Sequence, residues 1–196
     1  GQVNPFAGWS VEDIRKGIID HDPATYSNLI QCKAQFLAKT DISTYHELFR
    51  QRTLDQTIDS FMSTMDNHDK TFFVPETIKS RGFENIYLYA CRSLEALYSH
   101  LQMAGIRKQD AVGVVPHALE VYSLLTIDGW NLIHLSGSRL CSTAKPSMRK
   151  WMQGMVDELK AANNPLSEYL VPKGKQYGFC PDNHPNGCNI CKVRKE

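Results

Sequence analysis

The stretch RQRTLDQTIDS, residues 50–60, places two arginines one residue apart and a serine at its end. A guanidinium group is permanently charged and pairs with two phosphate oxygens at once, which a lysine ammonium cannot do. An Arg-x-Arg pair is weak by itself, because most arginines lie on solvated helix faces. The stretch therefore indicates a candidate anion site, and the residues on either side of it decide how far that interpretation extends.

The composition is that of a globular protein without a strong charge. The chain has 196 residues, of which 42% are hydrophobic and 22% charged, and its formal net charge is +1. This length favours one domain with a sizeable core. The near-zero charge predicts no general attraction to nucleic acid or to a membrane surface, and no apolar run approaches the roughly 20 residues that span a bilayer. The first residues, GQVNP, resemble no secretory signal, so we expect a cytoplasmic protein.

Periodicity and start signals predict the elements around this stretch. Helices are expected over residues 9–20, 44–52, 84–103, 108–115 and 147–162. Strands are expected over residues 29–37 and 71–74. The long apolar segment 117–139 predicts a strand followed by a helix, with Asp128-Gly129 as the break between them. From Pro172 onward the chain is rich in Gly, Pro, Lys and Asn, which is typical of an irregular tail.

The order of these elements resembles the flavin-dependent thymidylate synthase family. That family carries Arg-His-Arg, seven residues and then Ser, and here Arg50-Gln51-Arg52 precedes Ser60 at the same spacing. Further similar segments follow in order, namely Phe73-Val74-Pro75, Gly105-Ile106, Val114-Val115-Pro116 and Arg139 within a long helix. The similarity extends from about Ser43 to Met155, which is over half of the chain.

The resemblance implies a single compact α+β domain over residues 1–171, with an antiparallel sheet and long helices, assembled as a homotetramer. Residues 172–196 form a C-terminal tail without a counterpart in the family. The implied reaction is methylation of the 5-carbon of a uracil nucleotide, either dUMP or a related pyrimidine nucleotide. The implied cofactor is FAD, the reductant is NADPH and the carbon donor is methylenetetrahydrofolate. In the family, electrostatics rather than a cysteine nucleophile activates the ring, and no cysteine here has a local nucleophile signature.

Residue roles also follow from the resemblance. The implied flavin contacts are Arg50, Gln51, Arg52, Thr57, Asp128 and His134. The implied substrate contacts are Glu47, Ser60 and Arg139. Of these, Ser60 and Arg139 are also the implied catalytic residues, with the Arg139 guanidinium polarising the uracil ring.

Several matched positions differ from the family at ligand contacts. Gln51 replaces the family's His and Asp55 replaces a Ser, while Met62 and Val112 stand where ligand-binding arginines are expected. The family's flavin-contacting Asn, Arg and Asn correspond here to Asp128, Trp130 and His134. Each lost charge-assisted contact costs roughly 1.5–3 kcal/mol. The alternative is therefore a protein of the same fold with an altered substrate, such as a ribonucleotide or a nucleoside, or with altered chemistry.

The six cysteines fall into two groups. Cys32, Cys91 and Cys141 lie in apolar or mixed segments, and we expect them to be small buried hydrophobic residues. Near the C-terminus, a Cys/His cluster has spacings that resemble a zinc site, and its members are Cys180, His184, Cys188 and Cys191. An iron–sulfur cluster and a tail with free thiols remain open alternatives. The zinc interpretation also allows a second alternative function, a zinc-stabilised binding protein without catalysis.

Overall fold

The computed structural model describes residues 7–180, which form ten α-helices and three β-strands. The strands are β1 (Lys33–Asp41), β2 (Asp55–Ile58) and β3 (Glu120–Asp128). The helices are α1 (Val11–Ile19), α2 (Pro23–Gln31), α3 (Ile42–Phe49), α4 (Phe61–Asp66), α5 (Glu76–Lys79), α6 (Glu84–Met103), α7 (Lys108–Ala111), α8 (Gly129–Arg139), α9 (Pro146–Ala161) and α10 (Lys173–Tyr177). Short 3-10 turns cover Val112–Val114 and Pro165–Tyr169. No helix within residues 7–180 is long and apolar enough to span a bilayer.

Strand β3 is central in a sheet with the order β1–β3–β2. Its side chains alternate with the period of two that a half-covered strand requires, so that Val121 and Ser123 are buried and Tyr122 and Leu124 are exposed. The Ser123 hydroxyl lies 3.4 Å from the Ala38 carbonyl oxygen of β1, to which it donates. Farther along the same pair of strands, Gln35 contacts Thr126, a register that makes β1 and β3 antiparallel. The predicted α+β class with an antiparallel sheet and long helices is confirmed.

The chain divides into two compact units. One consists of residues 7–36 with 126–180, and the other of residues 37–125. In the first, α9 buries a helical stripe whose members are Met148, Met152, Met155, Val156 and Leu159. In the second, a core cluster consists of Ile42, Met65, Tyr98, Ala111, Leu119 and Val121. Both boundaries between the units fall inside strands, at β1 and at β3. The homotetramer stays a prediction, since the structure holds one chain.

Several helices begin at a polar residue whose side-chain oxygen accepts a hydrogen bond from the first turn. Ser10 and Asp13 form a reciprocal capping box at α1. The Asp22 carboxylate accepts from the Thr25 backbone N–H at 2.8 Å, and hydrogen bonds from Thr25 hold the pKa of Asp22 below its usual range. At α3, the Asp41 carboxylate accepts from the Thr44 N–H at 3.0 Å, which caps the start of this helix.

The predictions of the long amphipathic helices are confirmed, whereas several predictions of short elements are wrong. The predicted strand over 29–37 is wrong at its start, because α2 continues to Gln31 and the strand begins at Lys33. Asp22-Pro23 supplies a helix cap and a first-turn proline, so the apolar residues that follow complete a helix. The predicted strand over 71–74 consists of one antiparallel bridge, between Phe72 and Leu119. The tail is irregular only in part, since α10 lies within it and ends at Gly178 with φ 79°.

The alternation along β3 predicts unequal effects for two adjacent leucines. Leu125 is fully buried, whereas Leu124 is 44% exposed. We expect Leu125→Ala to lower the free energy of unfolding by about 2–5 kcal/mol, because it leaves a cavity in the core. We expect Leu124→Ala, the matched control on the same strand, to cost less than about 1 kcal/mol. Urea denaturation followed by circular dichroism measures both, and equal losses would contradict the assigned register.

Candidate active site

The two arginines lie in the turn between α3 and β2. Arg50 caps the C-terminus of α3, and the Gln51 N–H donates to the Leu48 carbonyl oxygen at 2.8 Å. Buried Leu54 anchors the end of the turn beneath them. Arg50 and Arg52 are exposed, and within residues 7–180 neither guanidinium makes an ion pair or a hydrogen bond. The turn therefore presents two uncompensated positive charges to solvent, which is the chemistry that an anionic group requires.

A residue that the sequence did not single out holds this turn in place. The Gln56 side-chain amide donates to the Leu48 carbonyl oxygen at 3.2 Å, which ties β2 to the end of α3. Its other amide atom, Oε1, is buried without a partner among the described residues. The only signal in the sequence was its inward position in an alternating strand. Gln56 is therefore a positioning residue for the arginine turn.

The other predicted residues of this segment lie in the turn or within a few residues of it in the sequence. Gln51 donates from Nε2 to the Thr53 hydroxyl at 2.9 Å, and Thr57 is exposed on β2. Ser60 is exposed at the start of α4, where its hydroxyl accepts weakly from the Ser63 N–H at 3.4 Å. Glu47 is half-buried on α3, one helical turn before Arg50. The local fold thus brings all six predicted residues of the segment into one α3–β2–α4 unit within residues 37–125.

A second group of predicted residues lies on α8, in the unit that contains residues 126–180. Asp128 caps this helix, and its two carboxylate oxygens accept from the backbone and side-chain N–H groups of Asn131 at 2.9 and 2.7 Å. Lys33 lies 3.9 Å from the same carboxylate. The Asp128 carboxylate is therefore already paired with Asn131 and Lys33. Its role in flavin binding stays a prediction.

Trp130, which the resemblance matched to a flavin-contacting arginine, also makes contacts within its own unit. Its ring meets Tyr26 edge-on with centroids 4.9 Å apart, and His21 lies at 6.1 Å. Such pairs favour an edge-to-face geometry. The indole thus packs against α2 and the residue before its cap, while His134 one turn farther along α8 is exposed.

Arg139 ends α8 with an unsatisfied donor. Its Nε is buried and has no hydrogen-bond partner among the described residues. A buried donor without a partner is costly, which makes this atom a candidate for hydrogen bonding to a ligand oxygen. The residues therefore fit FAD and an anionic substrate in part. The arginine turn suits phosphate groups, and Arg139 suits a carbonyl oxygen. Val112 and Met62, in contrast, contribute no positive charge to ligand binding.

Two of the described cysteines are disfavoured as nucleophiles, and no cluster of metal ligands lies within residues 7–180. Cys91 and Cys141 are buried as expected, and Cys32 is half-buried. Burial raises the pKa of the Cys32 and Cys91 thiols, which disfavours the reactive thiolate. No group of three or more potential ligands lies together within residues 7–180. Cys180 is described, but His184, Cys188 and Cys191 lie outside the described residues, so the predicted zinc site is not tested.

Comparison with known proteins supplies the family. The family model described as Thy1, thymidylate synthase complementing protein, matches residues 12–163. A flavin-dependent thymidylate synthase from Pyrococcus furiosus is 28% identical over 161 residues, which cover 77% of this chain and 66% of that protein. The Pyrococcus abyssi protein of the same name is 29% identical over 153 residues, covering 73% of this chain and 63% of that protein. This chain thus spans about two thirds of their length. Because the family model covers more than half of the chain, this chain belongs to the thymidylate synthase complementing protein family.

Proposed function

We propose that this protein is a FAD-dependent enzyme that methylates the 5-carbon of a uracil nucleotide, with methylenetetrahydrofolate as carbon donor and NADPH as reductant. The observation that carries the proposal is the pair of unpaired, exposed guanidinium groups at Arg50 and Arg52, within a family match of residues 12–163. The relatives' names specify flavin and thymidylate synthesis. A cytoplasmic location accompanies this proposal as a prediction.

The chain's own residues would act by binding and by electrostatics. Arg50 and Arg52 bind the phosphates of FAD, with Gln51 and Thr57 as neutral neighbours. FAD, when bound, supplies hydride chemistry. Ser60 donates its hydroxyl hydrogen to the substrate phosphate, and Glu47 is an acceptor for a substrate N–H or O–H. Preorganised donors of this kind are usually the largest contribution to catalysis.

Arg139 has the most directed role in this proposal. Its unsatisfied Nε–H donates to a carbonyl oxygen of the uracil ring, where negative charge develops as the 5-carbon reacts. A guanidinium stays protonated throughout, so Arg139 stabilises charge and exchanges no proton. His134 and Asp128 would lie along the same helix beside the flavin.

A second candidate is the same fold acting on a less charged substrate. Met62 and Val112 are half-buried and apolar at the positions where the family binds ligand with arginine. Two absent charge-assisted contacts would weaken a nucleotide monophosphate by about a hundredfold or more. A uracil nucleoside, which has no phosphate to bind, would then compete well with dUMP.

The exposed side of α6 supports assembly into the proposed homotetramer. Phe83, Ile86, Leu94 and Leu97 are large, apolar and 37–67% exposed, and they fall within about 80° of arc on this helix. A continuous apolar surface of this kind is typical of protein interfaces. The occupant that we propose is the same helix of a second copy, because a symmetric contact matches one apolar stripe with another.

The arginine turn predicts a specific loss of flavin. We expect Arg52→Ala to weaken FAD binding by about 10- to 100-fold, because one charge-assisted phosphate contact is removed. Arg81→Ala removes an exposed arginine from the same unit outside the turn and is the matched control. Fluorescence titration with FAD measures both. A parent protein that binds no FAD would contradict the proposed function outright.

Arg139 predicts a loss of turnover with the flavin retained. We expect Arg139→Gln to reduce turnover by about 100-fold or more, because it removes a charge that acts on the developing oxyanion. FAD content and the unfolding transition should be unchanged. Assaying the parent with dUMP, UMP and uridine in parallel distinguishes the two candidates: preference for dUMP or UMP supports the first, and preference for uridine the second. An Arg139→Gln variant with full turnover on its preferred substrate would refute the assigned role.

The α6 surface predicts an assembly defect. We expect Leu97→Glu to produce smaller species in sedimentation velocity, because a buried carboxylate would be desolvated in the interface. Asn85→Glu adds the same charge on another side of α6 and should leave the tetramer intact. A parent chain that sediments as a monomer, or equal effects of both substitutions, would contradict this interface.

A further inference from the structure

A cavity that the proposed function does not use lies beside α9, in the unit containing residues 126–180. Its volume is about 560 Å³, and it is lined on one side by α9 and on the other by the segment from Leu170 to Lys175. Sites for small molecules commonly have volumes of roughly 300–1,000 Å³. None of the residues matched to flavin or substrate contacts lines this cavity.

Among residues 7–180, the cavity is lined by four cationic side chains and by no carboxylate. The cations are Arg149, Lys150, Lys160 and Lys175. Arg149, Gln153, Val156 and Lys160 recur at helical spacing, which places them along one side of α9. Asp157, an acidic residue of the same helix, lies outside the lining and accepts from the Gln153 amide at 2.9 Å.

The positive charges in the cavity are not neutralised within the described chain. Lys150, Lys160 and Lys175 are exposed and form no ion pair with any of residues 7–180. The Arg149 guanidinium is held in place, because its Nη1 donates to the carbonyl oxygens of Ser142 and Ala144, both at 3.0 Å. Those two acceptors are neutral, so the guanidinium keeps its charge. Like charges gathered in a concave surface attract multivalent anions.

The floor of the cavity is apolar. Buried Leu140, Val156 and Leu170 contribute to it, together with Pro146 and Pro172. A purely inorganic ion would make no use of the apolar atoms that still face the cavity. A ligand with both an apolar body and clustered negative charge uses the whole surface. Each phosphate group carries about −1.5 to −2 charges near neutral pH, so two or three of them match four cations.

We propose that this cavity binds a nucleoside diphosphate or triphosphate, with its phosphates on Arg149, Lys150, Lys160 and Lys175 and its base against the apolar floor. The site is distinct in residues from the proposed active site. The inference therefore stands or falls separately from the proposed function.

The probes are ADP and inorganic pyrophosphate, titrated into the full chain by isothermal calorimetry at low salt. We expect ADP to bind more tightly than pyrophosphate, and its affinity to fall as sodium chloride screens the lysines. The double variant Lys160→Gln/Lys175→Gln should weaken ADP by about 10-fold, because two partly exposed contacts are removed. Equal affinity for pyrophosphate and ADP would overturn the assignment to a nucleotide.

A control variant and prior loading with FAD test whether ADP binds in this cavity and not elsewhere on the chain. Lys16→Gln removes an exposed lysine of the same unit that does not line the cavity, and it should leave ADP binding within about twofold of the parent. The titrations use protein already saturated with FAD, so that FAD and not ADP occupies the proposed active site. ADP binding to the FAD-loaded protein that the double lysine variant retains in full, or that Lys16→Gln weakens equally, would overturn the proposal.

Discussion

Backbone hydrogen bonds along β3 and just past its end position Ser60 in one unit and the start of α8 in the other. In the unit of residues 37–125, the Asp59 N–H donates to the Tyr122 carbonyl oxygen at 3.0 Å, which sets the position from which Ser60 begins α4. In the other unit, β3 ends at Asp128, and the next residue opens α8. There the Gly129 N–H donates to the Cys32 carbonyl oxygen at 2.7 Å. A Cβ at Gly129 would lie 3.0 Å from the Leu29 carbonyl oxygen, so this position favours a glycine.

The long elements and the residue types of the site were predictable, but the interactions within the site were not. The apolar stripe of α9 is a local feature, and the structure reproduces it. The apolar residues around Leu29 suit a strand and a helix equally, so the beginning of β1 could not be predicted from hydrophobicity. The predicted helix over residues 44–52 is wrong at its end, because α3 stops at Phe49, so the turn that holds Arg50 and Arg52 was not predicted. The buried Nε of Arg139 and the hydrogen bond from Gln56 to α3 are products of tertiary packing. A sequence shows which donors exist, but the fold decides which of them are already satisfied.

The departures from the family pattern have a common physical consequence on α8. A family Asn and Arg correspond here to Asp128 and Trp130, and both side chains make contacts within their own unit. A carboxylate cap stabilises the start of a helix by about 1 kcal/mol, and an edge-on aromatic pair adds a similar amount. These positions therefore contribute to the fold. Under the proposed function, the phosphate-binding turn keeps its charge while the α8 side of ligand binding is reduced to Arg139 and His134.

Net charge gives no indication of where this protein would hold anions. A formal charge of +1 over 196 residues predicts no attraction to polyanions. Locally, however, the part of the chain that the structure describes leaves two guanidinium groups unpaired in the α3–β2 turn and lines the cavity beside α9 with four cations and no carboxylate. Fields fall off over about 10 Å at moderate ionic strength, so a ligand responds to its nearest charges and not to the sum over the chain. The distribution of charge, which only the fold specifies, is what makes two separate phosphate-binding proposals possible for a nearly neutral protein.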